Sequence, residues 1–527
     1  MIQKWLVTMS LSIFLLTGLS TSSFFLADFL SQVIQKNEHT TSQLNFALAQ
    51  ENEAALLYAL QQAKPGSENW QNLAKKSARN NGKVAYSLAE FYVTNKPVSE
   101  KFFSQFEQAR LWYQQAIRLN YPKASIALAK LYFQQGDDLE AKKLLAEFQV
   151  MELPQQQYDN DIALAAMILS IKVAISIGDI TLANSLLIKS SSLLQADEKG
   201  ALLLNAIVKY QVLTSVADSG IKSDVNGLTC PNSIQIFATN LLHLAQAEQL
   251  VKRFKNQPLN NFVCFSPVRY LPLSTLSCSS APQDAILCDE TKFDNIADSV
   301  TARYIAIMLP EGGANVHFGM LYFDAKDSID VVEHEISHLL GFVDEYPLGK
   351  GHSKCLTSQQ QISAQNIAVL QNSYQGERSA IRSKVLKQLA WAEQIKNTTL
   401  ILHLKYAEPI KNPYWQLGTP KEFEQEVGLF RAETCENNSA KQKNTFSAFK
   451  PLLARTKLQY DELNFPKQYA TLLQNNSQQF LMPSFHYNIA LAYYQQNKIQ
   501  QASDWMDKAV SWESDDSRIK KIRQGDF

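Results

Sequence analysis

The chain has 527 residues, too many for one ordinary core, so two to four domains are expected. Hydrophobic residues make up 46% and charged residues 19%, the balance of a folded protein. Lys+Arg and Asp+Glu both number 50, and no basic run carries interleaved aromatics, so the composition supplies no field that would draw in nucleic acid or an anionic membrane surface.

At the N-terminus Lys4 precedes an uncharged stretch from Trp5 to Ala27, with its most apolar part at "LSIFLLTGL" (Leu11–Leu19) and small polar residues at Ser20–Ser23. This is the order of a secretory signal over residues 1–27. The same stretch is long enough to stay behind as a membrane anchor. The six cysteines all lie between Cys230 and Cys435 and include no C-x-x-C pair. An even set confined to one region predicts disulfides, and with them a periplasmic or secreted protein. Cys278–Cys288 would be a local bridge, and Cys355–Cys435 would staple a long excursion.

Residues 40–220 read as helical throughout, with apolar residues at three and four spacing. "KVAYSLAEFY" (Lys83–Tyr92) lines up with "KASIALAKLY" (Lys123–Tyr132), and "GDDLEAKKLL" (Gly136–Leu145) with "GDITLANSLL" (Gly178–Leu187), at a period near 40. Small residues let paired helices approach closely, and Gly136 and Gly178 can take a left-handed turn between them. The pattern resembles tetratricopeptide and Sel1-like repeats, whose stacked units share a core. It returns in residues 464–520 as "IALAYYQQNKIQQASDWMDKAV" (Ile489–Val510), with Asn497 at the glycine position. One repeat cannot bury its face alone, so this one is expected to pack on its neighbours or on the middle of the chain.

Between these arms, residues 227–463 carry all the cysteines and the strand signals. The spacing predicts a helix over Ser233–Phe254, strands at Phe262–Leu271 and Arg303–Leu309, and a further, edge strand over Asn315–Asp324. A helix follows in "KDSIDVVEHEISHLLG" (Lys326–Gly341), with Asp327 or Ser328 as its cap and Gly341 as its stop.

That helix holds the chemistry. His334 and His338 are four residues apart, so both imidazoles leave one face at a spacing that can grip a single ion. Glu335 sits beside the first of them, placed to act as general base on a water that the ion has activated. A catalytic zinc site takes a third protein ligand, and Asp344 follows at His334-x-x-x-His338-x-x-Gly341-x-x-Asp344. Glu345 is its near rival, and Glu393 is the best candidate for a distant carboxylate. Tyr346 and, on the edge strand, His317 are candidates to touch substrate. Glu333 reads more readily as a solvated neighbour of His334 than as an outer partner of a histidine, His352 is a weak alternative ligand, and His403 reads as structural. The other reading of the whole motif is an amphipathic helix that happens to carry two histidines.

The order of helix, strands, edge strand and motif helix is similar to that of a zincin catalytic domain. "HEISHLLGFVDEY" (His334–Tyr346) also resembles the IgA-specific metallopeptidase-like family of zinc peptidases. That family follows H-E-x-x-H closely by D-E-Y and later carries G-x-(Tyr/Phe)-R and a Cys, matched here in "GLFRAETCEN" by Gly428, Phe430, Arg431 and Cys435. Two features depart from it. The Asp-Glu-Tyr comes about one residue early, and Asn437 stands where the family has Met. The expectation is an α+β protein with a zincin-type domain, mixed sheet plus active-site helix, between helical repeat arms. The resemblance implies an exported Zn2+-dependent peptidase with a protein or peptide substrate, while the repeats would dock a protein partner. Because no Met lies between Met320 and Met482, the other functional reading is a repeat scaffold whose zincin domain has lost its activity.

Overall fold

The computed structural model describes residues 25–95, 102–150, 160–213, 230–279, 281, 284–406, 413–476 and 478–525. Residues 1–24, most of the stretch read as signal or anchor, lie outside this set. Among the described residues no helix is long and apolar enough to cross a membrane. The chain divides into two units, residues 1–174 with 182–201, and residues 175–181 with 202–527.

The first unit is helical. Its seams are lined by alanine, as close helix pairing requires: Ala74, Ala78, Ala85, Ala116 and Ala124 meet around Val84 and Leu88. Ala129, Ala141 and Ala166 meet around Leu145 and Phe148. Gly136 turns the chain between helices Pro122–Gln134 and Asp138–Val150 at φ +81, a conformation that costs glycine nothing. Gly178 in the second unit does the same at φ +78, and Asn497 at φ +58. All three expected left-handed turns are present.

The second unit is built on a mixed sheet. β1 (Ser233–Ala238) pairs in parallel with β2 (Cys264–Phe265) and β3 (Arg269–Tyr270) on one side, and with β6 (Tyr304–Leu309) on the other. β6 pairs in parallel with β8 (Met320–Asp324), and β7 (Asn315–His317) adds the single antiparallel edge. β4 (Cys278–Ser279) and β5 (Leu287–Cys288) form a separate ribbon. Three expected elements are corrected here. Ser233–Phe254 is not one helix: its first six residues are β1, and Asn240 then caps the helix Leu241–Phe254 by accepting from His243 N at 2.8 Å. β1 does alternate over Ser233-Ile234-Gln235-Ile236, but it is only six residues long and runs almost directly into an amphipathic helix, so the helical spacing that follows outweighs it. Phe262–Leu271 splits into β2 and β3 around Pro267, which cannot donate to a ladder. Asn315–Asp324 is a hairpin, reversed at Phe318 (φ +39) and Gly319 (φ +82).

Alternate residues of β6 face opposite layers. Ile305, Ile307 and Leu309 join a core with Phe485, Ile489, Ala490, Tyr493, Ala502 and Trp505 of the C-terminal helices Phe485–Gln495 and Ile499–Val510. Burying one such side chain is worth about 1.5–3 kcal/mol. On the other face Tyr304 reaches the motif helix Ile329–Leu339, its hydroxyl donating to Leu339 O at 3.2 Å. A buried cluster closes the base of that helix. Arg303 bonds Glu513, Trp512 O and Met482 O, Arg518 bonds Glu513 and Leu481 O, and Met482 N donates to Leu339 O at 2.9 Å.

After the motif helix come two small antiparallel sheets. β10 (Ser373–Gln375), β12 (Tyr414–Leu417) and β11 (Leu402–Tyr406) form one; β13 (Phe430–Arg431), β14 (Phe446–Lys450) and β9 (Ala368–Gln371) form the other. Disulfides join Cys230–Cys264, Cys278–Cys288 and Cys355–Cys435, so both expected bridges are present and no cysteine is free. Three disulfides suit an oxidising, extracellular or periplasmic space.

Candidate metal centre

The motif helix starts where Ser328 accepts from Val331 N at 3.2 Å. Asp327 does not cap it but turns back to accept from Asp324 N at 2.7 Å. Replacing Ser328 by alanine is expected to cost about 1 kcal/mol of stability, read as a lower urea midpoint. The helix stops at Gly341, which two constraints demand. Its φ is +88, and a Cβ there would lie 2.2 Å from Phe480 O.

His334 and His338 face each other across one turn. Their Nε2 atoms are 3.1 Å apart, and Asp344 Oδ1 stands 3.1 Å from the first and 3.2 Å from the second. The other nitrogen of each ring is committed. His334 Nδ1–H donates to Lys457 O at 2.8 Å, and His338 Nδ1–H donates to Phe342 O at 3.1 Å. A carbonyl only accepts, so each Nδ1 keeps its proton and each Nε2 offers a lone pair. Two lone pairs and a carboxylate oxygen therefore converge on one point, and Asp344 Oδ1 is buried there without a hydrogen bond. Such a triangle is repulsive unless a proton or a cation sits among its corners. Tetrahedral N and O ligands at about 2.0–2.1 Å from a zinc ion stand about 3.3 Å apart, so the donor set fits that ion.

Glu335 is buried beside the pair, and one atom from each of His334, Glu335 and His338 lies within 4.8 Å of the others. Asp344 makes the shorter contacts, however, while Glu335 has no direct hydrogen bond to either ring among the described residues. Burial pushes the Glu335 carboxyl above its ordinary pKa, the two rings pull it partly back, and Asp344 adds to the rise. Burial also acts to raise Asp344, but His338 and His334 outweigh it and hold that group below the usual carboxylate range.

Tyr346 lies 40% exposed beside this cluster, its ring stacked near that of His334 at 6.3 Å between centroids. Burial and then Asp344 raise its phenol pKa. His317 is elsewhere: exposed on β7, it packs on Phe318, with Nδ1 3.9 Å from Glu290. Glu393 is exposed on the turn Ala392–Gln394, His352 caps another turn and His403 is exposed on β11, so none of these three joins the cluster. Glu345 points away. It is fully buried, with Oε2 taking Lys450 Nζ at 2.8 Å and Thr456 Oγ1 at 2.9 Å, and Oε1 taking Asn366 Nδ2 at 3.1 Å and the Tyr469 hydroxyl. Glu333 is corrected as well. It is buried, not solvated, accepting from Leu259 N at 3.2 Å and facing Lys457 Nζ at 3.4 Å.

The tetratricopeptide repeat family model matches residues 483–516. No curated protein and no solved structure matches the chain. The matched tetratricopeptide repeat is the hairpin of Phe485–Gln495 and Ile499–Val510, whose apolar side packs against the sheet. It also touches the edge hairpin, where Asn488 Nδ2 donates to His317 O at 2.9 Å and Phe318 meets Tyr487 edge to face.

The two stretches that carry the metallopeptidase resemblance meet in space. Thr434 Oγ1 donates to Asp344 O at 2.8 Å, Glu433 N to Glu345 O at 3.1 Å and Leu348 N to Thr434 O at 2.9 Å. Lys457, Thr456, Lys450 and Tyr469 were not found from sequence. They belong to no spaced pattern, and only the buried carboxylates they serve reveal them.

Proposed function

We propose that the chain is an exported zinc-dependent peptidase. The observation that carries this reading is the triangle of His334, His338 and Asp344, with both rings fixed as Nε2 donors and Glu335 alongside. His334, His338 and Asp344 would hold the ion. Zinc, when bound, lowers the pKa of a water and polarises the scissile carbonyl. Glu335 takes the proton from the attacking water and returns it to the leaving amine, and its burial keeps it basic enough for both transfers. Tyr346, partly exposed at the rim, is placed to donate a hydrogen bond to charge developing on the carbonyl oxygen. The antiparallel edge strand β7 supports the zincin reading, because such an edge can pair with an extended peptide backbone. The disulfides support a periplasmic or secreted location, and the helical repeats of the first unit support a protein partner.

Purified full-length protein is expected to bind about one zinc per chain and to cleave an unfolded protein substrate. A chelator should stop cleavage and added zinc restore it. A protein that takes up no zinc, and whose thermal stability zinc does not change, would instead favour the repeat scaffold.

A further inference from the structure

Three successive residues tie the motif helix to the loop that carries Asp344. Thr456 Oγ1 donates to Glu345 Oε2 at 2.9 Å. The Lys457 carbonyl accepts His334 Nδ1–H at 2.8 Å. The Leu458 carbonyl accepts Glu345 N–H at 2.9 Å. Glu345 is covalently next to Asp344, so one short segment grips a helix ligand and the residue beside the loop ligand. Its own register is fixed by the Lys457 side chain, which is buried among oxygens. Nζ lies 2.9 Å from Asp330 Oδ1, 2.6 Å from Asp461 O and 3.4 Å from Glu333 Oε2. Asp330 and Glu333 are both on the motif helix, within four residues of His334. Lys457 therefore reads the helix with its ammonium and orients the helix's histidine with its carbonyl.

We infer that Thr456–Leu458 is a clamp that sets His334 and Asp344 at metal-binding distance from each other, with Lys457 as its positioning residue. This rests on the zinc reading above. A partner that orients a ligating histidine typically governs metal affinity by 10- to 100-fold, and the clamp adds control over a second ligand.

Lys457→Met alone strands the buried Glu333 carboxylate and can unfold the domain. The working variant is therefore Lys457→Met with Glu333→Gln. Zinc affinity is measured on the full chain by competition with a chromophoric chelator. The double variant should bind zinc roughly 10- to 100-fold more weakly than wild type, and Lys457→Arg should keep most of the affinity. Ile522→Ala, buried in the C-terminal helices, serves as the control: it should lose stability with zinc affinity unchanged. Cobalt bound in place of zinc should show altered visible absorption in the double variant alone. Wild-type affinity in the double variant, with wild type itself binding zinc, overturns the clamp and leaves the zinc site standing. Failure of wild type to bind zinc overturns the zinc reading, and the clamp with it.

Discussion

Glu335→Ala should abolish hydrolysis while leaving one zinc on the chain. The side chain does not belong to the donor triangle; it lies beside it, buried, with no direct hydrogen bond to His334 or His338. Its removal therefore spares the three atoms that would hold the ion. What disappears is the one carboxylate near the cluster that keeps the freedom to move a proton, because His338 and His334 hold Asp344 ionised. General base and acid catalysis contributes typically 10²- to 10⁴-fold, and Glu335 would serve both transfers, so kcat/KM should fall by roughly 10³-fold or more. Protonation of Glu335 also sets an acid limit: activity should fade as pH drops through its pKa in the zinc-loaded chain, because the protonated acid cannot take a proton from water. The measurement is peptide cleavage with metal content determined on the same samples. An unchanged kcat/KM in the variant would remove Glu335 from the chemistry.

Much of this was legible in the sequence because local spacing carried it. Two histidines four apart, a capped helix and a glycine stop are properties of one turn of backbone. The left-handed residues Gly136, Gly178 and Asn497 announced helical hairpins for the same reason. The errors came where the tertiary environment decides. β1 looked helical because its short alternation, Ser233-Ile234-Gln235-Ile236, is followed after two residues by a longer stretch of helical spacing. Glu333 looked solvated because its burial depends on Lys457 and Leu259, which lie far away in sequence. Spacing put Asp344 ahead of Glu345 but could not decide between them, since either can follow the glycine turn. Only the fold supplies Lys450, Thr456, Asn366 and Tyr469 to consume Glu345 and leave Asp344 for the histidines.

Asp344→Ala should cost more zinc affinity than any change outside the donor triangle, and it should flatten the dependence of that affinity on pH. With no cation bound, a proton does the work of holding the triangle together. Burial resists protonation of His338, but Asp344 and Glu335 overcome that resistance and push its pKa up to about 10. Because the folded value exceeds the unfolded one of about 6.5, the stability this proton contributes is complete below that pH and is lost as pH rises through about 10. Zinc must displace the same proton. Wild-type affinity should therefore climb with pH, by about tenfold per unit across that window. Without Asp344 the ring loses the partner that raises it most, so less of this proton competition remains. The ion meanwhile loses an oxygen ligand that Glu345 cannot replace, since its own oxygens are held by other residues. Removal of an outer partner already costs 10- to 100-fold, so loss of a direct ligand should exceed about 100-fold at neutral pH. Zinc titrations at several pH values read both effects. If Asp344→Ala bound zinc as tightly as wild type, with the same slope against pH, the third ligand would have to be another residue.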